Sequence, residues 1–163
     1  MKRLVLLILG SAAALSQAAP PTACSSPEHR QFDFWIGDWQ VRKPDGGFAG
    51  INRITREYGG CVIHERYATG KGYSGESLNV YDAARKLWHQ TWVDDSGLLL
   101  TLEGHWNGKS MVLEGLAPTP TGAMARQRIT WTPAADGNVR QLWEAADDEG
   151  AWSVVFDGRY TRK

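Results

Sequence analysis

The sequence predicts an all-β chain closed into a single up-and-down antiparallel β-barrel of about ten strands, with a short N-terminal helical turn. Two observations predict it. Apolar residues alternate in short runs, with hardly any helical periodicity over a full window. Between the runs stand Asp45-Gly46-Gly47, Gly59-Gly60, Asp95-Ser96-Gly97, Asn107-Gly108, Asp136-Gly137-Asn138 and Asp148-Glu149-Gly150. Such residues supply the positive φ that tight hairpins demand. Connections this short set each strand beside its predecessor, and a sheet wound this way closes rather than leave two exposed edges.

Taken in order, the helical turn falls at 27–34, where Ser26 can cap the start and Gly37 ends it. Strands follow at 39–43, 50–58, 61–69, 76–82, 87–94, 98–106, 110–117, 126–132, 139–146 and 152–160. A two-sheet sandwich is the alternative, but its crossovers need long connections and only 118–125 offers one.

The first residues address the compartment. Lys2 and Arg3 precede an apolar run at 4–9, and small residues then lead to Ser16-Gln17-Ala18. That is the pattern of a signal peptide cleaved before Ala19. The apolar stretch is too short to span roughly 30 Å of hydrocarbon, and Pro21-Thr22-Ala23 before Cys24 lacks the lipoprotein pattern. Residues 1–18 therefore read as a signal peptide and 19–163 as one domain, periplasmic or secreted, with no stable membrane insertion after cleavage. Cleavage removes two of the 18 basic residues and none of the 18 acidic ones, which leaves a net charge of −2. No basic patch is left to drive nucleic-acid binding. An oxidising compartment favours joining Cys24 to Cys61 over leaving two free thiols.

The alternation also suggests a hollow. Ser77, Asn79 and Tyr81 share one face of their strand, and Trp88, Gln90, Trp92 and Asp94 share one face of the next. Aromatics in line with amides and a carboxylate have the make-up of a ligand pocket rather than of a plain core. With Glu65, Arg128, Gln141 and Trp143 added from other strands, these residues form the expected ligand-binding set. Buried charge needs a partner, so Arg128 is expected to meet Glu65 or Asp94. The four histidines, His29, His64, His89 and His105, have no spacing that joins two imidazoles on one metal. No metal or other cofactor is expected.

Phe32-Asp33-Phe34-Trp35-Ile36-Gly37-Asp38-Trp39 resembles the opening motif of the calycin-type, lipocalin-like barrels. More closely, the chain resembles the DUF1579 family of bacterial proteins, through this opening, Gly60-Cys61-Val62-Ile63-His64-Glu65, residues 77–82, Trp88-His89-Gln90-Thr91-Trp92-Val93-Asp94 and Phe156-Asp157-Gly158-Arg159-Tyr160. The calycin resemblance implies that Trp39, two residues after Gly37, closes one end of the barrel under an arginine of the last strand, Arg159 or Arg162. Haem-binding relatives carry a histidine near the barrel's end, whereas this chain has none after His105.

Three functions follow as expectations. The first is capture of a small amphipathic or aromatic ligand in the barrel. The second is an isomerase, decarboxylase or lyase using Glu65 or Asp94 as general acid or base. The third is a protein-interaction module, which needs a solid interior and outward tryptophans. The oligomeric state is left open.

Overall fold

The computed structural model describes residues 23–119 and 122–163. The expected signal peptide lies outside the described residues.

Ten strands form: β1 (Gly37–Arg42), β2 (Phe48–Glu57), β3 (Val62–Ala68), β4 (Ser74–Asp82), β5 (Leu87–Asp94), β6 (Leu99–Trp106), β7 (Met111–Pro118), β8 (Met124–Pro133), β9 (Val139–Ala146) and β10 (Trp152–Arg162). Each pairs antiparallel with its neighbours in the chain, and β1 pairs with β10 to close the barrel. The turn residues act as anticipated. Gly46, Gly97, Gly108, Gly137 and Gly150 all take positive φ, and side chains such as Asn107 Oδ1 accept the turn's own N–H groups.

The expected N-terminal helical turn is present, in 3₁₀ form. The segment makes two such turns, Pro27–Arg30 and Asp33–Trp35. Ser26 does not cap the backbone; its hydroxyl donates to the Glu28 carboxylate at 2.6 Å. So short a run, opened by Pro27 and lacking an apolar period, suits the tighter helix.

These turns cover one end of the barrel because their apolar side chains point into it. Phe32 stacks on Trp35 with centroids 4.9 Å apart and meets Trp88 and Trp131 edge-on at 5.6 and 5.1 Å. Phe32, Trp35, Trp39 and Trp131 are wholly buried beside Leu102, Leu113 and Met111. The segment is tied down covalently as well, since Cys24 and Cys61 are bonded. Beside the disulfide, Arg30 donates to the carbonyls of Cys24 and Gly60.

Trp39 lies where the resemblance implied, donating through Nε1 to the Trp35 carbonyl at 2.8 Å. Arg162 lies over its ring at 4.4 Å. Arg159 does not take this role; three residues earlier on β10, it stands on the opposite, outer face and is exposed. Gly37 permits the arrangement. Its φ is +151°, and a Cβ there would run into the Arg162 guanidinium.

The opposite end is less complete. β1 is six residues long and pairs with β10 only from Arg159 to Arg162. The stretch 152–158 of β10 therefore pairs on one side alone, with β9. A gap is left in the wall between β10 and the start of β2, bordered by Lys43 and Pro44.

Candidate functional site: a polar floor beneath an aromatic-walled cavity

Halfway up the barrel, inward positions on six strands turn polar. Glu65 on β3 is opposite Ser77 on β4, and Asn79 on β4 is opposite Gln90 on β5. Asn52, Tyr160 and Gln141 extend the belt across β2, β10 and β9. All seven side chains are buried, so their polar atoms must find one another.

They do so around the carboxylate. Ser77 Oγ donates to Glu65 Oε2 at 2.6 Å, and Asn52 Nδ2 donates to Oε1 at 2.7 Å. Asn52 also donates to the Tyr160 hydroxyl at 3.2 Å, and that hydroxyl donates to Gln141 Oε1. On the other flank, Asn79 Nδ2 donates to Ser77 Oγ at 2.9 Å, and Gln90 Nε2 donates to Asn79 Oδ1 at 2.9 Å.

Among the described residues, no cation pairs with Glu65. Burial pushes its carboxyl up from 4.5 to about 7, against the opposing pull of the hydrogen bonds from Ser77 and Asn52. Burial also holds the Tyr160 phenol well above its ordinary range, with the charge of Glu65 adding to the effect. Near pH 7 Glu65 is thus divided between its acid and carboxylate forms, and Tyr160 stays protonated.

Above the belt lies a cavity of about 1060 Å³ that opens at the gap beside β10. Glu65, Gln90, Gln141 and Tyr160 form its floor, and Tyr67, Tyr73, Trp92, Trp143 and Phe156 its aromatic walls. Each wall ring with a polar tip is anchored by it. Trp143 Nε1 donates to Gln127 Oε1 at 2.7 Å, Trp92 Nε1 to Asp94 Oδ2 at 3.1 Å, Tyr73 to the same oxygen at 2.8 Å and Tyr67 to the Ala49 carbonyl at 2.8 Å.

The expected site residues separate into groups. Glu65, Gln90, Trp92, Gln141 and Trp143 border the cavity. Ser77 and Asn79 lie behind it and hold Glu65 and Gln90. Tyr81 and Trp88 face inward but belong to the closed end. Tyr81 meets the His29 ring, and Trp88 donates to Gln31.

Asp94 stands at the rim as a turn cap, accepting from Ser96, Leu98, Tyr73 and Trp92. Burial works to raise its pKa, but the bonds from Ser96, Trp92, Tyr73 and the Leu98 N–H outweigh it and hold the group at about 2. A carboxylate so fully engaged is a poor proton carrier.

Arg128 is a correction. It lies on the outer face of β8, where it is opposite Glu144 of β9 and donates to it at 2.9 and 3.1 Å. The Trp152 ring lies 4.1 Å away. Its neighbours Gln127 and Ile129 take the inward positions.

Asn52, Tyr67, Gln127, Phe156 and Tyr160 were missed by the sequence reading. Strand alternation carried the signal: Asn52 keeps phase with buried Ile54, and Tyr67 with Glu65. No protein-family model matches the chain, and no curated protein matches it.

Proposed function

We propose that this is an exported, lipocalin-like protein that binds a small amphipathic or aromatic molecule in the barrel. The observation that carries the reading is the cavity of about 1060 Å³, walled by anchored aromatic rings and floored by a few convergent polar groups. Ligand sites have this composition. Export rests on the N-terminal pattern, and the Cys24–Cys61 bond fits an oxidising compartment. Kinship with the DUF1579 family is part of the same proposal. A hollow interior lined by Trp92 and Trp143 counts against the interaction-module alternative.

Native mass spectrometry of the protein purified from its own culture is the test. A retained small molecule that quenches Trp92 and Trp143 fluorescence is the expected result. A protein that carries nothing, and shows no thermal shift against cell extract, overturns the reading.

One observation favours a second reading. Glu65 has no cation partner among the described residues, and burial pushes its carboxyl up to about 7, which suits proton transfer at neutral pH. On that reading Glu65 is general acid or base for a substrate held by the aromatic walls. Glu65→Gln would then abolish turnover while ligand binding persists; a binding protein would show no turnover to lose.

A further inference from the structure

Outside the barrel, below the cavity mouth, the wall carries a second concavity of about 660 Å³. Arg42 on β1 is directly opposite Arg159 on β10, and Arg159 directly opposite Arg140 on β9. The row continues to Thr132 on β8, whose hydroxyl is 2.7 Å from that of Ser110. All five line the groove, with Lys43 and Lys109 at its edges. Three guanidiniums and two hydroxyls thus stand in one line across neighbouring strands.

Charge along this line is unbalanced. Among the described residues Asp157 is the sole acid lining the groove, and it is taken by Arg140 through bonds of 2.9 and 2.7 Å. Lys43 is paired with Asp45, which lies outside the groove. Among the described residues, no carboxylate lies within ion-pair distance of Arg42, Arg159 or Lys109. Arg42 is nonetheless held in place, donating to the Gly46 carbonyl at 2.9 Å and to Gln40 Oε1 at 3.0 Å. Like charges directly opposite across a ladder destabilise a sheet. An anion seated between the guanidiniums would relieve that repulsion, and their planar forks match phosphate oxygens two at a time.

We infer that the Arg42–Arg159–Arg140 row is a binding site for a phosphate-type dianion. The row would take phosphate whether or not the barrel is filled, and it adjoins the cavity: Lys43, Pro44 and Asp157 border both hollows. The phosphate therefore has two possible sources, a free anion or the headgroup of an amphiphile whose tail enters the cavity. The carboxylate floor at Glu65 would keep such a headgroup outside.

The experiment titrates the disulfide-bonded protein with inorganic phosphate and with n-dodecyl phosphate, followed by calorimetry and thermal unfolding at low ionic strength. Dodecyl maltoside serves as the uncharged control. Arg42→Gln and Arg159→Gln are each expected to weaken phosphate binding about tenfold or more. Arg53→Gln, on the outer face of β2, should leave it unchanged. Without phosphate, both row variants are expected to unfold at or above the parent's temperature, which shows that they fold. Dodecyl phosphate binding far more tightly than inorganic phosphate assigns the site to a headgroup; equal affinities assign it to a free anion. No phosphate binding by the parent overturns the inference. So does an Arg53→Gln loss as large as that of the row variants, which would reduce the effect to diffuse surface charge.

Discussion

The two ends of the barrel hold their tryptophans differently. At the closed end tryptophans are packed on every side: Trp39 and Trp88 still bond their N–H groups, to the Trp35 carbonyl and to Gln31, but those of Trp35 and Trp131 are buried with no partner among the described residues. In the cavity wall, Trp92 and Trp143 are only partly buried, yet each N–H is bonded. Close packing fixes a ring without help from its polar atom, at a cost of about 1–3 kcal/mol for each donor left unmade. A ring beside a hollow lacks neighbours on its inner side, and a hydrogen bond sets its orientation instead. The difference teaches that close packing can stand in for the hydrogen bond at the closed end, whereas both indoles beside the hollow keep theirs.

Truncation would break the comparison most sharply. Trp131→Ala removes a wholly buried ring from the closed end and is expected to destabilise by about 3–5 kcal/mol. Trp92→Ala mainly enlarges a hollow that already exists, with an expected loss of about 1–2 kcal/mol and a larger effect on ligand affinity. Urea unfolding midpoints measure both. Equal losses would mean that the two ends are packed alike.

The covalent tie is next in size. Cys24 and Cys61 are 37 residues apart, and closing a loop of that length stabilises by up to about 4 kcal/mol in the chain-entropy model. Replacing both with serine should lower the unfolding midpoint and release the 3₁₀ turns from the closed end. Amide exchange at residues 26–35 would then rise above that of the cavity strands. Unchanged exchange there would show that the aromatic contacts alone keep the lid seated.

Glu65 sharpens the comparison from the polar side. Its pKa is raised from 4.5 to about 7 in the folded state, so the folded protein keeps a proton that the unfolded chain has lost. This stabilisation is complete below pH 4.5 and falls away as pH rises through 7, by about 3 kcal/mol in all. Glu65→Gln keeps an oxygen for Asn52 and an amide for Ser77 but cannot ionise. It should flatten the pH dependence between 5 and 8 and exceed the parent in stability at pH 8. A variant that keeps the parent's slope would place the titrating group elsewhere.

The fold was legible because its determinants are local. Asn107-Gly108, Asp136-Gly137-Asn138 and their counterparts mark the hairpins, and every expected strand lies within two residues of an observed one. The site was legible only where alternation has an anchor. On β4 and β5 the aromatic and amide series fixed the inward face, and Ser77, Asn79, Gln90 and Trp92 stand where that phase puts them. It failed where two phases look equally acceptable. Arg126 and Arg128 alternate with Gln127, and β8 alone gives no reason to bury the glutamine rather than the arginines. The decision lies on β9, whose Glu144 is opposite Arg128 on the outer face, and on β10, whose Trp152 lies over the guanidinium. That register depends on contacts between distant parts of the chain, and no single strand reports it. Nor does alternation say how far up the barrel a residue sits, so Tyr81 and Trp88 read as cavity lining although they plug the closed end.

The smallest expected effect tests that register directly. Arg128 and Glu144 have 29% and 16% of their side chains exposed, so their pairing is half-screened by water. With the lost contact to Trp152 included, Arg128→Ala should cost about 1 kcal/mol. Its effect on the cavity should be nil, because the side chain lies on the far side of a wall whose inner positions are Gln127 and Ile129. Gln127→Ala makes the opposite change: it leaves the outer pair intact and frees Trp143 Nε1, which should shift the tryptophan emission and any ligand-induced quenching. If Arg128→Ala rather than Gln127→Ala altered the quenching, β8 would be turned over relative to the structure, and the carboxylate floor would have the cation partner that Glu65 lacks here.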